Sequence, residues 1–293
     1  MSEVVERYYD GQVETEWERL QKPYPRLELV STMRLIGEHF PSSGHVADIG
    51  GGPGRYAIEL LRLGYRVTLV DLSENAIAFA RSMLEEEGLH AEAIRCADAR
   101  DLADLATSSF DAALHLGPMY HIVSKEDRRS ALRELHRILK PGAPAIVGFI
   151  NPWGVLRAGL TEFPSFYAAH DDAASLLGEY VKRGEQAAFT ESVFLPPPQA
   201  LCELRDSGFA VVTRAGAEGF ASGALGPVHR IANESPETYE AISRLVAETC
   251  ELPAFRDATE HLHVVVRCLK ERTRRSDEVA SARCARSLER RRT

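Results

Sequence analysis

The chain has 293 residues, 44% of them hydrophobic and 27% charged, and 43 acids against 35 lysines and arginines leave a net charge of −8. That length builds one large domain or two small ones around a substantial core, while the acidic balance argues against nucleic acid as a partner, because phosphate calls for a basic surface. No apolar run reaches the roughly 18 residues of a membrane span, and the polar start from Met1 to Asp10 does not read as a secretory signal.

Residues 1–45 read as an N-terminal helical cap. Trp17, Leu20 and Tyr24 recur at helical spacing, as do Leu29, Met33, Ile36 and Phe40. Pro23 and Pro25 are expected to break the stretch in two. Strands and helices then alternate through residue 150. Strand 45–49 leads to helix 54–63, closed by Gly64. Strand 66–70 leads to a helix from Ser73 to about Glu87, closed by Gly88. Strands 92–96 and 110–116 follow, then a helix opened by Ser124 with Asp127 and running to about Leu139. Strand 144–150 is a continuous apolar run, as suits a strand covered on both faces. Such alternation implies a mostly parallel sheet with right-handed crossovers.

Residues 151–198 hold Trp153, Phe163, Phe166, Tyr167, Tyr180 and Phe189 among polar residues. This is too long for a connection and reads as an inserted helical, aromatic cap. Residues 199–270 return to the core. They give a short helix 199–207, a strand 208–213, an insertion over 214–260 and a last strand 263–269. The insertion reads as loop to 235 and helix over about 236–251. The tail 271–293 carries eight arginines and little apolar content, and is expected to be a disordered basic tail.

Cys96, Cys202, Cys250, Cys268 and Cys284 form no C-x-x-C pair. They read as small buried apolar residues in a reducing cytoplasm, so the expected location is cytoplasmic. His261-x-His263 is the one suggestive histidine spacing, and no metal is expected there.

The chemistry concentrates in Val46-Ala47-Asp48-Ile49-Gly50-Gly51-Gly52-Pro53-Gly54-Arg55-Tyr56 and in Asp71 at the end of the next strand. Glycines let a ligand approach the backbone. The helix that starts there offers free N–H groups, and the acid suits a pair of ribose hydroxyls. Gly52-Pro53-Gly54-Arg55-Tyr56-Ala57 also fits the G-x-G-x-x-A pattern of dinucleotide sites, so a nicotinamide-dependent oxidoreductase is the alternative. Three further features pull away from it: Asp48 just before the glycines, Asp98 after the third apolar segment, and Phe110-Asp111-Ala112-Ala113-Leu114 followed by Leu139-Lys140-Pro141-Gly142.

In this combination, over about residues 46–150 and more loosely 200–270, the chain resembles the class I S-adenosylmethionine-dependent methyltransferases. The resemblance implies an α/β, Rossmann-like fold: a seven-stranded, mostly parallel sheet with an antiparallel last strand, helices on both faces, and a helical cap. It implies that Asp48, the Gly50 carbonyl and the Leu116 carbonyl serve the cofactor's ammonium. Gly51, Gly52 and Gly54 belong to the turn. Asp71 takes the ribose, Leu72 packs near the adenine, and Asp98 and the Ala99 N–H take the adenine edge. Tyr56 either lies along the cofactor or packs on the sheet.

Methyl transfer is an in-line displacement, so positioning carries much of the acceleration. Leu116-Gly117-Pro118-Met119-Tyr120-His121 borders the reacting atoms in this family. His121 is the candidate general base, with Tyr120 beside it. Tyr8, Tyr9 and Trp17, with Trp153, Phe163, Phe166 and Tyr167, are candidates to line the acceptor. They suit a small aromatic or heteroaromatic molecule of the kind met in bacterial secondary metabolism. Carbon or nitrogen methylation is favoured over oxygen. The partners expected are this acceptor and no nucleic acid or membrane, and a homodimer is compatible with the chain. A non-catalytic interaction module is a further reading, countered by the complete set Asp48, Gly50, Gly52, Asp71 and Asp98.

Overall fold

The computed structural model describes residues 3–162, 164 and 167, the backbone of 180–182, and residues 190–269. Phe163, Phe166, Cys284 and the tail 271–293 lie outside the described residues.

Three helices come first: α1 (Glu3–Asp10), α2 (Val13–Arg19) and α3 (Pro23–His39). Pro23 and Pro25 start α3 rather than breaking a helix, because first-turn N–H groups have no intrahelical partner to lose. The breaks fall instead at Gly11–Gln12 and over 20–22. The buried face of α3 is Tyr24, Leu27, Glu28, Ser31, Thr32, Leu35 and Ile36. It is not the stripe through Leu29 and Met33, which are only half-buried. Polar residues inside that face disguise it from a hydropathy reading.

The core follows as β1 (His45–Ile49), α4 (Arg55–Arg62), β2 (Arg66–Asp71), α5 (Glu74–Glu86), β3 (Ala93–Cys96), β4 (Ala112–His115), α6 (Pro118–His121), α7 (Lys125–Ile138) and β5 (Pro144–Ile150). Next come α8 (Pro152–Glu162) and the short strands β6 (Tyr180–Lys182) and β7 (Ser192–Phe194). The chain then forms α9 (Pro197–Asp206), β8 (Phe209–Gly216), a 3₁₀ turn at Gly219–Ala221, α10 (Leu225–Glu234), α11 (Pro236–Thr249) and β9 (His261–Cys268).

The parallel strands lie in the order β3-β2-β1-β4-β5. β9 runs antiparallel along all of β5, and β8 runs antiparallel along β9. These seven are the strands expected, with the expected antiparallel member. β6 and β7 are additional: β7 touches β5 in parallel only at Ile150, and β6 pairs antiparallel with β7. The stretch 214–235, expected to be loop, instead extends β8 to Gly216 and forms α10. Pro227 lies in the first turn of α10, where a missing N–H costs nothing. Cys96 is exposed because β3 is an edge strand, whereas Cys250 and Cys268 are buried as expected.

One face of the sheet packs Val46, Leu69, Leu114 and Val265 against α3, α4 and α5. The other packs Ala47, Ile49, Val147 and Val266 against α7 and α9. A smaller cluster of Tyr24, Leu27, Val228, Tyr239 and Val246 joins α3 to α10 and α11.

Within the second layer, Arg128 of α7 is wholly buried and grips Glu203 of α9 with Nε at 2.9 Å and Nη2 at 2.8 Å. Its Nη1 donates to the Ile122 and Val123 carbonyls, so the pair also fixes the chain just after α6. Arg128→Met, which leaves Glu203 buried and alone, is expected to cost about 3–5 kcal/mol of folding stability. Ser124→Ala, at the cap of α7, should cost about 1 kcal/mol. Urea unfolding of both variants measures the difference, and equal losses would mean the pair does not clamp α7 to α9.

Candidate active site

The sheet changes winding direction between β1 and β4, and ligands of such sheets settle outside the carboxyl ends of the strands at that point. Here the chain leaves β1 through Gly50 and leaves β4 through Leu116 and Gly117. The two exits touch: a Cβ on Gly117 would lie 3.3 Å from the Gly50 carbonyl oxygen. Gly51 backs onto the first acid, since a Cβ there would sit 2.7 Å from Asp48 Oδ2 and 2.2 Å from Leu69 Cδ1. The turn therefore needs glycine for clearance.

A cavity opens over this edge. Asp48, Gly50, Gly51, Gly52, Asp71, Leu72 and Tyr56 line its floor, with Leu116 to Pro118 at one end. Asp48 is 2% exposed, and its Oδ2 has no hydrogen-bond partner among the described residues. Burial, reinforced by the charge of Asp71, pushes its carboxyl up to about 7. A buried carboxylate oxygen without a donor suits a ligand's ammonium group. Asp71 is also raised by burial, and the Ser73, Gly52 and Leu72 N–H groups hold it back. The Gly52 N–H donates to its Oδ2 at 2.7 Å and the Ser73 N–H to its Oδ1 at 2.9 Å. Ser73, not Asp71, caps α5, its Oγ accepting from the Ala76 N–H. The spare lone pairs of Asp71 can accept from a diol. Gly54 adopts a left-handed conformation at the start of α4 and is not part of the wall.

The structure does not bring Asp98 and Ala99 to this wall. Ala99 packs in the core. Arg100 grips Asp98 with Nε and Nη2 at 3.1 and 2.8 Å, and its N–H adds a third bond. Burial alone would raise this carboxyl, yet Arg100 holds it down at about 2.

The N-terminal helices form the roof. Val5, Glu6 and Tyr9 of α1 line it, as do Glu16 and Arg19 of α2. Asp10 anchors α1 to α5, accepting from Ser73 Oγ at 2.5 Å, while Asn75 Nδ2 donates to its carbonyl. Tyr9 and His121, singled out separately in the sequence, meet here, with the Tyr9 oxygen 2.7 Å from His121 Nε2. The other ring nitrogen lies 3.0 Å from the Glu191 carbonyl. A carbonyl only accepts, so Nδ1 carries the proton and Nε2 accepts from the Tyr9 hydroxyl. Burial lowers the imidazole to about 4, so His121 is neutral at pH 7. Its basic nitrogen is thus already engaged. Tyr120 lines the same wall, and burial raises its phenol.

The other expected aromatics stand elsewhere. Tyr8 packs edge-on against Tyr9, outside the wall. Trp17 lies under the Arg55 guanidinium, 3.5 Å from ring centroid to Cζ. Trp153 starts α8 with its N–H on Asn151 Oδ1. Tyr167 folds back onto the Leu156 carbonyl.

Sequence reasoning missed Arg19 and Glu28. Glu28 is 4% exposed, and Arg19 Nη1 donates to its Oε2 at 2.8 Å. Burial would raise this carboxyl, but Arg19 first, then the charged His261, hold it at about 2. His261 and His263 face α3 from β9. Burial opposes charge on His261, yet Glu28 and Glu218 lift it to about 9, and its Nδ1 lies 2.5 Å from Glu218 Oε1. The signal available was the i, i+4 pair Glu28 and Thr32 on α3, set among buried apolar positions.

Residues 46–142 match a family described as a methyltransferase domain. The tRNA 5-carboxymethoxyuridine methyltransferase of Escherichia coli K12 is 27% identical over 242 residues, 80% of this chain and 84% of that protein. Among solved structures, the 1,6-didemethyltoxoflavin-N1-methyltransferase of Burkholderia thailandensis, holding its acceptor and S-adenosylhomocysteine, superposes with a TM-score of 0.57 at 15% identity, over 91% of this chain and 88% of that one. A SAM-dependent methyltransferase of Methanosarcina mazei superposes with a TM-score of 0.54 at 19% identity, over 81% and 98%.

The raised carboxyl of Asp48 makes two pH effects measurable. Its pKa of about 7 lies above the ordinary 3.8, so between those values the folded protein holds a proton that the unfolded chain releases. Stability of the ligand-free protein should therefore fall as pH rises from about 4 to 7, and Asp48→Asn should flatten that slope in thermal melts. A cationic ligand favours the ionised form, so S-adenosylmethionine should release a proton on binding below pH 7 and bind more tightly as pH approaches 7. Calorimetry in buffers of different ionisation enthalpy reads that proton. Equal proton release from Asp48→Asn would assign it to another group.

Proposed function

We propose that this class I S-adenosylmethionine-dependent methyltransferase transfers the methyl group to a small heteroaromatic acceptor, at a ring nitrogen or an electron-rich ring carbon. The observation that carries this reading is the shape and chemistry of the roofed cavity. It is closed by α1 and α2, walled by Tyr9, Tyr120 and His121, and bordered by the carboxylates of Glu16 and Glu28. Tyrosine faces suit a flat ring, and fixed carboxylates suit its N–H groups.

S-adenosylmethionine supplies the electrophilic methyl when bound. In the reading advanced here, Asp48 and the Gly50 and Leu116 carbonyls receive its ammonium. Arg19 Nη2, which has no partner among the described residues, receives its carboxylate, and Asp71 its ribose diol. Tyr9 and Tyr120 hold the acceptor ring in line and keep water out, the kind of positioning that supplies roughly 7–11 kcal/mol in well-oriented systems. A ring lone pair or nucleophilic ring carbon would take the methyl group without prior deprotonation, the methyl C–S bond breaking to leave S-adenosylhomocysteine and the alkylated ring giving up its proton to water afterwards. This accords with a neutral His121 whose Nε2 is occupied by Tyr9. An alcohol acceptor would need a free base at that point. The heteroaromatic N-methyltransferase of similar fold supports this reading as an analogy.

The relative that acts on tRNA makes tRNA the second reading. The net charge of −8 and the acids at the cavity count against it. Methyl transfer from labelled S-adenosylmethionine to indoles, benzimidazoles, phenols and bulk tRNA separates the two. Turnover is expected on the nitrogen heterocycles. Turnover confined to tRNA would replace this reading with the second, and turnover confined to phenols would restore an oxygen acceptor.

A further inference from the structure

We infer that Glu28 is the acceptor-recognising residue of this site: its Oε1 receives a ring N–H of the molecule to be methylated. This rests on the heteroaromatic reading above and extends it to a single atom. A carboxylate so fully buried, on a helix face shared with Leu27 and Leu35, loses its hydration and is kept only when it is paired. Arg19 pairs with one oxygen, Oε2. The other, Oε1, has no hydrogen bond among the described residues. His263 Nε2 lies 3.9 Å from it, beyond hydrogen-bond reach.

Nor does His263 turn a proton toward it. Thr32 Oγ1 donates its one hydrogen to the Glu28 carbonyl at 2.8 Å, so it can only accept from the His263 Nδ1–H at 3.0 Å and from the Tyr56 hydroxyl at 3.3 Å. Burial lowers the His263 imidazole to about 4, which leaves Nε2 bare. Two lone-pair atoms therefore face each other, and Glu28 borders the cavity. The missing partner is a donor that arrives with a ligand. A neutral ring N–H fits best. A second full cation beside the sulfonium would be repelled, and an O–H acceptor has no reason to present its proton away from the reacting oxygen.

His261 completes the frame. Glu218 takes its Nδ1 and its backbone N–H, so it keeps its position and its charge, and its field adds to that of Arg19 in keeping Glu28 ionised. The hydrogen bond offered to the acceptor is thus charge-assisted.

The test pairs each N–H ring with an isostere that lacks the donor: indole with benzofuran and benzothiophene, benzimidazole with benzoxazole. Calorimetry with S-adenosylhomocysteine is run alongside. For the wild-type protein, KM or acceptor Kd should favour the N–H member by about tenfold or more. Glu28→Gln should erase that preference, raising KM for the N–H ring by a similar factor with a smaller change in kcat and S-adenosylhomocysteine affinity within about twofold. Glu28→Asp keeps the charge and the fold while withdrawing the oxygen, and should lie between the two if Glu28→Gln proves unstable. Equal use of both members by the wild-type protein overturns the inference and leaves the heteroaromatic reading standing. Loss of S-adenosylhomocysteine binding in Glu28→Gln, with the preference intact, moves Glu28 to the cofactor side through Arg19. Failure of the wild-type protein to bind or methylate any ring in the series overturns the reading and the inference together, and is seen before any variant is made.

Discussion

The constraint on which the rest depends is the desolvation of two neighbouring carboxylates at the carboxyl edge of a parallel sheet. Asp48 and Asp71 end adjacent strands in register, with Asp48 opposite Leu69 and Asp71 two residues further along. In water they would repel weakly; in the interior the charge of Asp71 adds to the cost of ionising Asp48. The fold answers with backbone N–H groups on Asp71 and, among the described residues, nothing on Asp48 Oδ2. That asymmetry leaves one acid for a diol and one for a cation. It also explains the glycine at 51, since a side chain there would fill the space Asp48 needs.

The cofactor half of the site was legible in the sequence because its parts are local. Asp48 and the glycines share one turn, and Asp71 lies one crossover away, so spacing alone brings them together. The seven main strands were legible for the same reason. Asp98 shows the limit of pattern: it follows its strand as the resemblance requires, but Arg100, two residues on, claims it. No spacing rule anticipates that competition.

The proposed acceptor half was largely illegible. Its determinants come from α1, α2 and α3 at one end of the chain and β9 at the other, joined only by tertiary contact. Aromatic content drew attention to 151–198, yet neither Trp153 nor Tyr167 lines the cavity, and Tyr167 folds onto α8. The informative residues were charged ones hidden on a buried face: Glu28 and Thr32 on α3, His261 and His263 on β9. A hydropathy reading ranks such residues as solvated, and only the pairing of helix with strand shows that they are not. Tyr9 with His121 is the exception, two residues singled out separately that the roof brings into contact.

The antiparallel course of β9 has a consequence for how the molecule is made. A strand entering the sheet in reverse delivers its first residues, His261 and His263, to the active edge, and it is the last strand of the sheet to leave the ribosome. At about 5–20 residues per second, β5 emerges seconds before the strand that covers its flank. During that interval its run of Ala, Ile, Val and Phe is an open edge, the kind of surface that recruits other chains. His261, which helps to hold Glu28 ionised, and the strand that seals β5 arrive together, so closure of the vulnerable edge and completion of the proposed acceptor site are one event in the life of the nascent protein.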